Sequence, residues 1–197
     1  MDWFSTLSLA LGSAWTSGIN LYATVTVLGL LQKFNLTKLP GGLDVLDNWW
    51  IIGVAGFLYA IEFFADKIPG VDSGWDLLQT VLRVPVGAFL AAATLSGDGQ
   101  LATGALAAGG AVALLSHGLK SSTRVAINAS PEPVTNIGAS LTEDVVVASG
   151  IGIAFAHPWL ALGLVFGTLL AMALVVAWIV RFILRKIRGV RVTVPSH

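Results

Sequence analysis

Carboxylates four residues apart are the first chemistry this sequence offers. Glu62 and Asp66 have that spacing, and Asp72 and Asp76 repeat it after a turn marked by Pro69-Gly70. On a helix, residues four apart share a face. Two carboxylates so placed can hold a cation through oxygen ligands or divide the roles of general acid and base. Continuing the face of Asp76 leads to Gln79 and then Arg83, with Pro85 expected to kink the helix just beyond. A second polar group runs from His117 to Asn136 and contains Lys120, Arg124, Asn128 and Ser130-Pro131-Glu132-Pro133. Glu143-Asp144 forms a third, and the uncharged Thr16, Ser17, Asn20 and Tyr22 form a fourth inside an apolar run. The candidate set for binding an ion or small solute is Asn20, Glu62, Asp66, Asp72, Asp76, Arg83, Lys120, Arg124, Asn128, Glu143 and Asp144.

Several of these residues also have a purely structural reading. Ser73 with Asp76, and Ser140 with Glu143, match the S-x-x-[DE] spacing of a helix-capping box. Lys67 beside Asp66 reads as an ion pair, and His117 and His157, near span ends, read as interfacial residues. Asn20 could serve interhelical hydrogen bonding alone. No catalytic residue stands out. There is no G-x-S-x-G elbow, no H-E-x-x-H, no phosphate-cradling glycine loop and no nucleophile–base pair. With no cysteine, disulfides, thiolate metal sites and cysteine nucleophiles are excluded. No cofactor is expected, and whether a metal binds is left open.

The elements that must position these groups follow from composition. Of 197 residues, 55% are hydrophobic and only 11% are charged, with a mean hydropathy of +0.82. A soluble domain carries about 25% charged residues, so a monomeric soluble fold is excluded. Disorder, which needs low hydrophobicity and high charge, is excluded as well. Eleven Lys and Arg against eleven Asp and Glu give a formal charge of zero, without the basic field that nucleic acid requires. The expected partners are a lipid bilayer and an ion or small solute. The fold expected is an all-α, polytopic membrane bundle.

Six spans are expected, at about 7–31, 49–64, 77–95, from 101 to at least 115 with an inner end that hydropathy does not fix, 145–156 and 159–184, with four or five spans plus re-entrant segments as the fallback. Lys67, Lys120, Arg124 and the basic tail 181–197 place the even connections and both termini on the cytoplasmic side. Trp3, Trp49, Trp50, Trp75 and Trp159 fall at span ends. Gly163, Gly167 and Ala171 read chiefly as internal packing between helices. A homodimer is only the default from the prevalence of two-fold symmetry. The chain reads as one membrane domain, 1–197, with candidate halves 1–97 and 98–180. Each half opens with a helix that turns polar, which six unrelated helices or two inverted three-helix repeats would both accommodate.

The run Ala65-Asp66-Lys67-Ile68-Pro69-Gly70-Val71-Asp72-Ser73, with Trp75-Asp76, Arg83 and Pro85-Val86-Gly87-Ala88, closely resembles a family of small bacterial membrane proteins known only as a domain of unknown function. Lys120, Thr123-Arg124, Asn128 to Pro133, Asn136 and Glu143-Asp144 resemble its second motif. The resemblance implies a multi-spanning protein of the bacterial inner membrane and brings no catalytic residue, ligand or activity. Function is therefore expected from the chemistry of the charged groups. An ionisable side chain at the membrane centre costs roughly 2.5–3.5 kcal/mol, so several together call for pairing, water or a ligand, and point to a polar cavity open to the cytoplasm. A small transporter or channel is the leading expectation. A lipid scramblase or an assembly partner for a membrane complex comes next, and a membrane-embedded lipid-processing enzyme last.

Overall fold

The structure, a computed structural model, describes residues 1–68, 70–96, 102–129 and 133–190. Its helices are α1 (Trp3–Ile19), α2 (Leu21–Lys33), a 3-10 helix (Gly41–Asp47), α3 (Trp49–Ala65), α4 (Val71–Thr94), α5 (Thr103–Asn128), α6 (Pro133–Ala156) and α7 (Pro158–Val190), with no strand among the described residues. Three stretches are long and apolar enough to cross a membrane: Gly74–Thr94, Val134–Ala156 and Pro158–Phe182. Trp49–Ala65 is apolar but shorter. The chain is an all-helical, polytopic membrane bundle.

Short polar side chains set several helix starts. Asp2 accepts a hydrogen bond from the Ser5 amide at 2.8 Å, and Asn48 accepts one from the Trp50 amide at 2.8 Å. Gly70, with φ +84°, makes the turn into α4 in a region that side chains rarely enter. The apolar run expected as one span from 7 to 31 is broken at Asn20, which ends α1 and begins α2. Asn20 accepts from the Ala23 amide at 2.9 Å, so it supplies a bond that the break would otherwise leave unmade.

The bundle is tightest where α1, α4 and α5 meet. A Cβ at Gly109 would press on Ala91 and on the Gly87 carbonyl of α4, and one at Gly18 would collide with Ser116 and the Ala113 carbonyl of α5. Backbones approach this closely only without side chains between them. Ala10 and Ala14 of α1, Ala91 of α4 and Val112 of α5 are buried together at this centre. On α7, by contrast, Leu170, Leu174, Trp178 and Phe182 repeat every fourth residue along an exposed apolar stripe suited to lipid.

Three expectations are corrected, and one left open is settled. Helix α6 begins at Pro133 rather than near Val145, because Glu143 and Asp144 interrupt the hydropathy without ending the helix. Glu143 therefore sits deep in α6, and Asp76 lies well inside α4, so neither belongs to a capping box. Helix α5, whose inner end hydropathy left open, runs past Leu115 to Asn128 and carries Ser121-Ser122-Thr123, as the reading of a helix that turns polar expects. Gly163 and Gly167 are exposed, and a Cβ at either would meet nothing within 4 Å, so they do not pack against the described residues. Most of the third connection, the Ser130-Pro131-Glu132 motif and the tail beyond residue 190 lie outside the described residues.

Candidate functional site

Lys120, Arg124 and Asn128 fall at four-residue intervals on one face of α5. Opposite them stand Glu62 and Asp66 at the end of α3, Asp72, Asp76 and Arg83 on α4, and Glu143 on α6. Helical periodicity alone lines up each set, and the close glycine contacts bring the sets together.

Each cation bridges more than one helix. Arg83 meets Glu62 at 2.5 Å and Asp76 at 3.1 Å. It also donates to Gln79 Oε1, at 3.2 Å from Nε and 3.0 Å from Nη2, and to the Gly18 carbonyl at 3.4 Å. That carbonyl lies in the last turn of α1, where the broken helix leaves acceptors free. Lys120 Nζ is within 3.1 Å of Asp66, 3.3 Å of Glu62, 3.3 Å of Asp76 and 3.4 Å of Glu143. Arg124 grips Glu143 with two parallel hydrogen bonds, at 2.9 and 2.7 Å. It also pairs with Asp66 at 3.4 Å and Asp72 at 3.9 Å, and donates to the Asp66 carbonyl at 3.0 Å.

Amides and a histidine fill the remaining positions. Asn128 donates to both oxygens of Asp72 at 2.9 Å and accepts from Asn136 at 3.0 Å. His117 Nδ1 lies 2.8 Å from Arg83 Nη1, and its Nε2 lies 2.7 Å from Thr80 Oγ1. A guanidinium only donates, so Nδ1 must accept and Nε2 must carry the proton. Thr80 then accepts from His117 and donates to the Asp76 carbonyl at 3.0 Å. His117 is thus a neutral connector in this geometry.

Five carboxylates (Glu62, Asp66, Asp72, Asp76 and Glu143) face three cations (Arg83, Lys120 and Arg124) in one connected set of ion pairs. Fully ionised, that set carries a formal charge of −2. The side chains of Glu62, Arg83, Arg124 and Asp72 have no exposed surface, and Glu143, at 14%, is the most open of the eight. Several oxygens are buried and accept no hydrogen bond from the described residues: Glu62 Oε2, Asp66 Oδ1 and both oxygens of Asp76, of which Oδ1 is met by ion pairs alone. One carboxylate oxygen from each of Glu62, Asp66 and Asp76 can be chosen so that all three lie within 4.8 Å of one another.

Two clefts reach the set from different sides of α5. One, of about 370 Å³, is lined by Asp76, Thr80, His117, Ser121 and Arg124. The other, of about 290 Å³, is lined by Trp15, Lys120, Thr123, Thr142 and Glu143.

Of the eleven candidate residues read from the sequence, nine join in this network. Asn20 and Asp144 stand at its edge, where Asn20 Nδ2 donates to Asp144 at 3.4 Å. Two expectations fail. His117 is buried among charges instead of sitting at an interface, and it lies three residues before Lys120 on the same helix face. Asp66 does not pair with Lys67; Lys67 turns back to the Phe63 carbonyl at 2.8 Å and to Ser140 at 3.3 Å. Gln79 and Asn136, both buried, belong to the network although they were not among the eleven. Tyr59, beside Asp144, was missed, although its place three residues before Glu62 sets it on the charged face of α3.

One family model, described as Domain of unknown function (DUF4126), matches residues 7–180. Neither the curated proteins nor the solved structures contain a match to this chain.

Proposed function

Since the chain belongs to DUF4126, a domain of unknown function, its site must speak for its activity, and we propose that it is a small integral membrane transporter or channel that moves protons or small cations. The observation that carries this reading is the buried set of five carboxylates and three cations. Burying an unpaired charge costs several kcal/mol even after relaxation. A net of −2 away from water therefore demands two compensating positive charges, as bound protons or as bound cations. Neither is part of the polypeptide, so both can exchange with the surroundings. A site that must take up positive charge to be stable is already an ion-binding site.

Two further features support the reading. The α1–α2 break at Asn20 directs the Gly18 carbonyl toward Arg83 at the network, and discontinuous helices of this kind line the midplane sites of transporters. The two clefts approach the charged set from different sides of α5, which gives an ion a route to it from outside the bundle. In this reading α1 and α2 together form one broken span. With α3 to α7 they make six, and the basic tail keeps both termini in the cytoplasm.

Flux across a sealed bilayer tests the proposal. Proteoliposomes holding the purified full chain and an internal pH or cation indicator are expected to dissipate an imposed gradient faster than protein-free vesicles. Glu62→Gln is expected to slow that flux. Folded, oriented protein with no flux of protons, Na⁺, K⁺ or Mn²⁺ above the lipid background would refute it.

A further inference from the structure

We propose that Glu62, Asp66 and Asp76 form a binding site for one divalent cation, and that Lys120 is the tethered cation which that ion displaces. This deepens the ion-transport reading and rests on it. The three carboxylates come from the end of α3 and from α4, yet their oxygens can gather within 4.8 Å of one another. Calcium-like ions bind oxygen at 2.3–2.6 Å, so oxygens across such an ion stand up to roughly 5 Å apart. The spacing fits a calcium- or manganese-sized ion without moving a helix.

An acidic cluster alone would not make a site, and here there are independent signs of a ligand. Glu62 Oε2, Asp66 Oδ1 and both Asp76 oxygens accept no hydrogen bond, although their side chains are at least nine-tenths buried. Asp76 meets Arg83 and Lys120 only as ion pairs, at 3.1 and 3.3 Å, without hydrogen-bond geometry. Glu62 Oε2, Asp66 Oδ1 and Asp76 Oδ2 thus have lone pairs ready for a partner that coordinates rather than donates.

Lys120 Nζ touches all three of these carboxylates at 3.1–3.3 Å. It is one charge where the excess of the network calls for two more. The same side chain lines the second cleft with Glu143, 3.4 Å away. An incoming ion can therefore push the ammonium toward Glu143 without stranding it. With the lysine still protonated and a divalent ion in place, the network of formal charge −2 becomes neutral. A monovalent cation would leave it negative. The ammonium thus holds the carboxylates together in the absence of the ion and competes with it for the same oxygens.

The test is Mn²⁺ binding to the full chain in neutral-lipid nanodiscs, followed by the loss of the free Mn²⁺ electron-paramagnetic-resonance signal. Wild type is expected to bind one Mn²⁺ per chain. Glu62→Gln and Asp76→Asn are expected to bind it at least about tenfold more weakly. Lys120→Gln, which removes the competitor, is expected to bind it at least about tenfold more tightly. If Lys120→Gln does not fold, wild type decides by itself: Mn²⁺ must raise its unfolding temperature and fail to do so in Glu62→Gln. No Mn²⁺ binding by folded wild type, or equal binding by Glu62→Gln, overturns the site. Proton flux without Mn²⁺ binding overturns this inference and leaves the transport reading standing. Mn²⁺ binding without any ion flux does the reverse.

Discussion

Replacing Arg83 with methionine removes the cation that meets Glu62 at 2.5 Å and Asp76 at 3.1 Å. It also strips His117 of its donor and the Gly18 carbonyl of its partner. The formal charge of the buried set goes from −2 to −3 at a position with no exposed surface. Breaking a buried pair by deleting one partner costs about 3–5 kcal/mol, and the absence of solvent around Arg83 places the expected loss in that range. Glu62→Gln moves the set the other way, to −1, and leaves Arg83 paired with Asp76 and Lys120 paired with Asp66, Asp76 and Glu143. Its expected cost is about 1.5–3 kcal/mol, that of a lost hydrogen bond to a charged group. The double variant restores −2, so its loss should fall short of the sum of the two by about 1–3 kcal/mol. The assay is unfolding in mixed micelles titrated with a denaturing detergent, followed by tryptophan fluorescence. An Arg83→Met variant within about 0.5 kcal/mol of wild type, with an additive double variant, would refute the claim that these charges depend on each other.

Other variants probe the frame around the network. Gly18→Val drives a side chain into Ser116 and the Ala113 carbonyl and is expected to lose about 3 kcal/mol, since a helix backbone cannot step aside as a side chain can; the same detergent titration measures it. Asn20→Ala removes the cap of α2 and the contact to Asp144 and should cost about 1 kcal/mol, with ion flux falling further than stability does. Gly163→Leu faces outward with nothing near it, so the unfolding midpoint should stay within about 0.5 kcal/mol of wild type.

The chemistry along each helix was legible in the sequence, and the chemistry between helices was not. Glu62 with Asp66, Asp72 with Asp76, and Lys120 with Arg124 and Asn128 are neighbours by helical period alone. That Lys120 would face three acidic helices at once depends on how α4 and α5 slide past each other. Contacts such as Gly87 against Gly109 fix that register, and glycine spacing in a chain with 22 glycines does not say which pairs will meet. Hydropathy failed where the site is most charged. It stopped the fifth span at Glu143-Asp144, yet α6 carries Glu143 through the bundle because Arg124 and Lys120 meet it there. The earlier start had a signal of its own in Pro133, a residue well suited to the first turn of a helix. His117 was misread because a lone histidine near a span end carries no mark of its partners, although its place three residues before Lys120 set it on the charged face.

The most direct test of the excess negative charge is to count what neutralises it. Infrared spectroscopy of the carbonyl band of protonated carboxyls, together with elemental analysis for bound metal, does so on the purified protein at neutral pH. A network of five carboxylates and three cations held away from water should carry two compensating positive charges per chain. They should register as protonated carboxyls or bound cations, decrease in Glu62→Gln, and exchange one form for the other when Mn²⁺ is added. Five fully ionised carboxylates with no bound cation, in a folded protein, would contradict it.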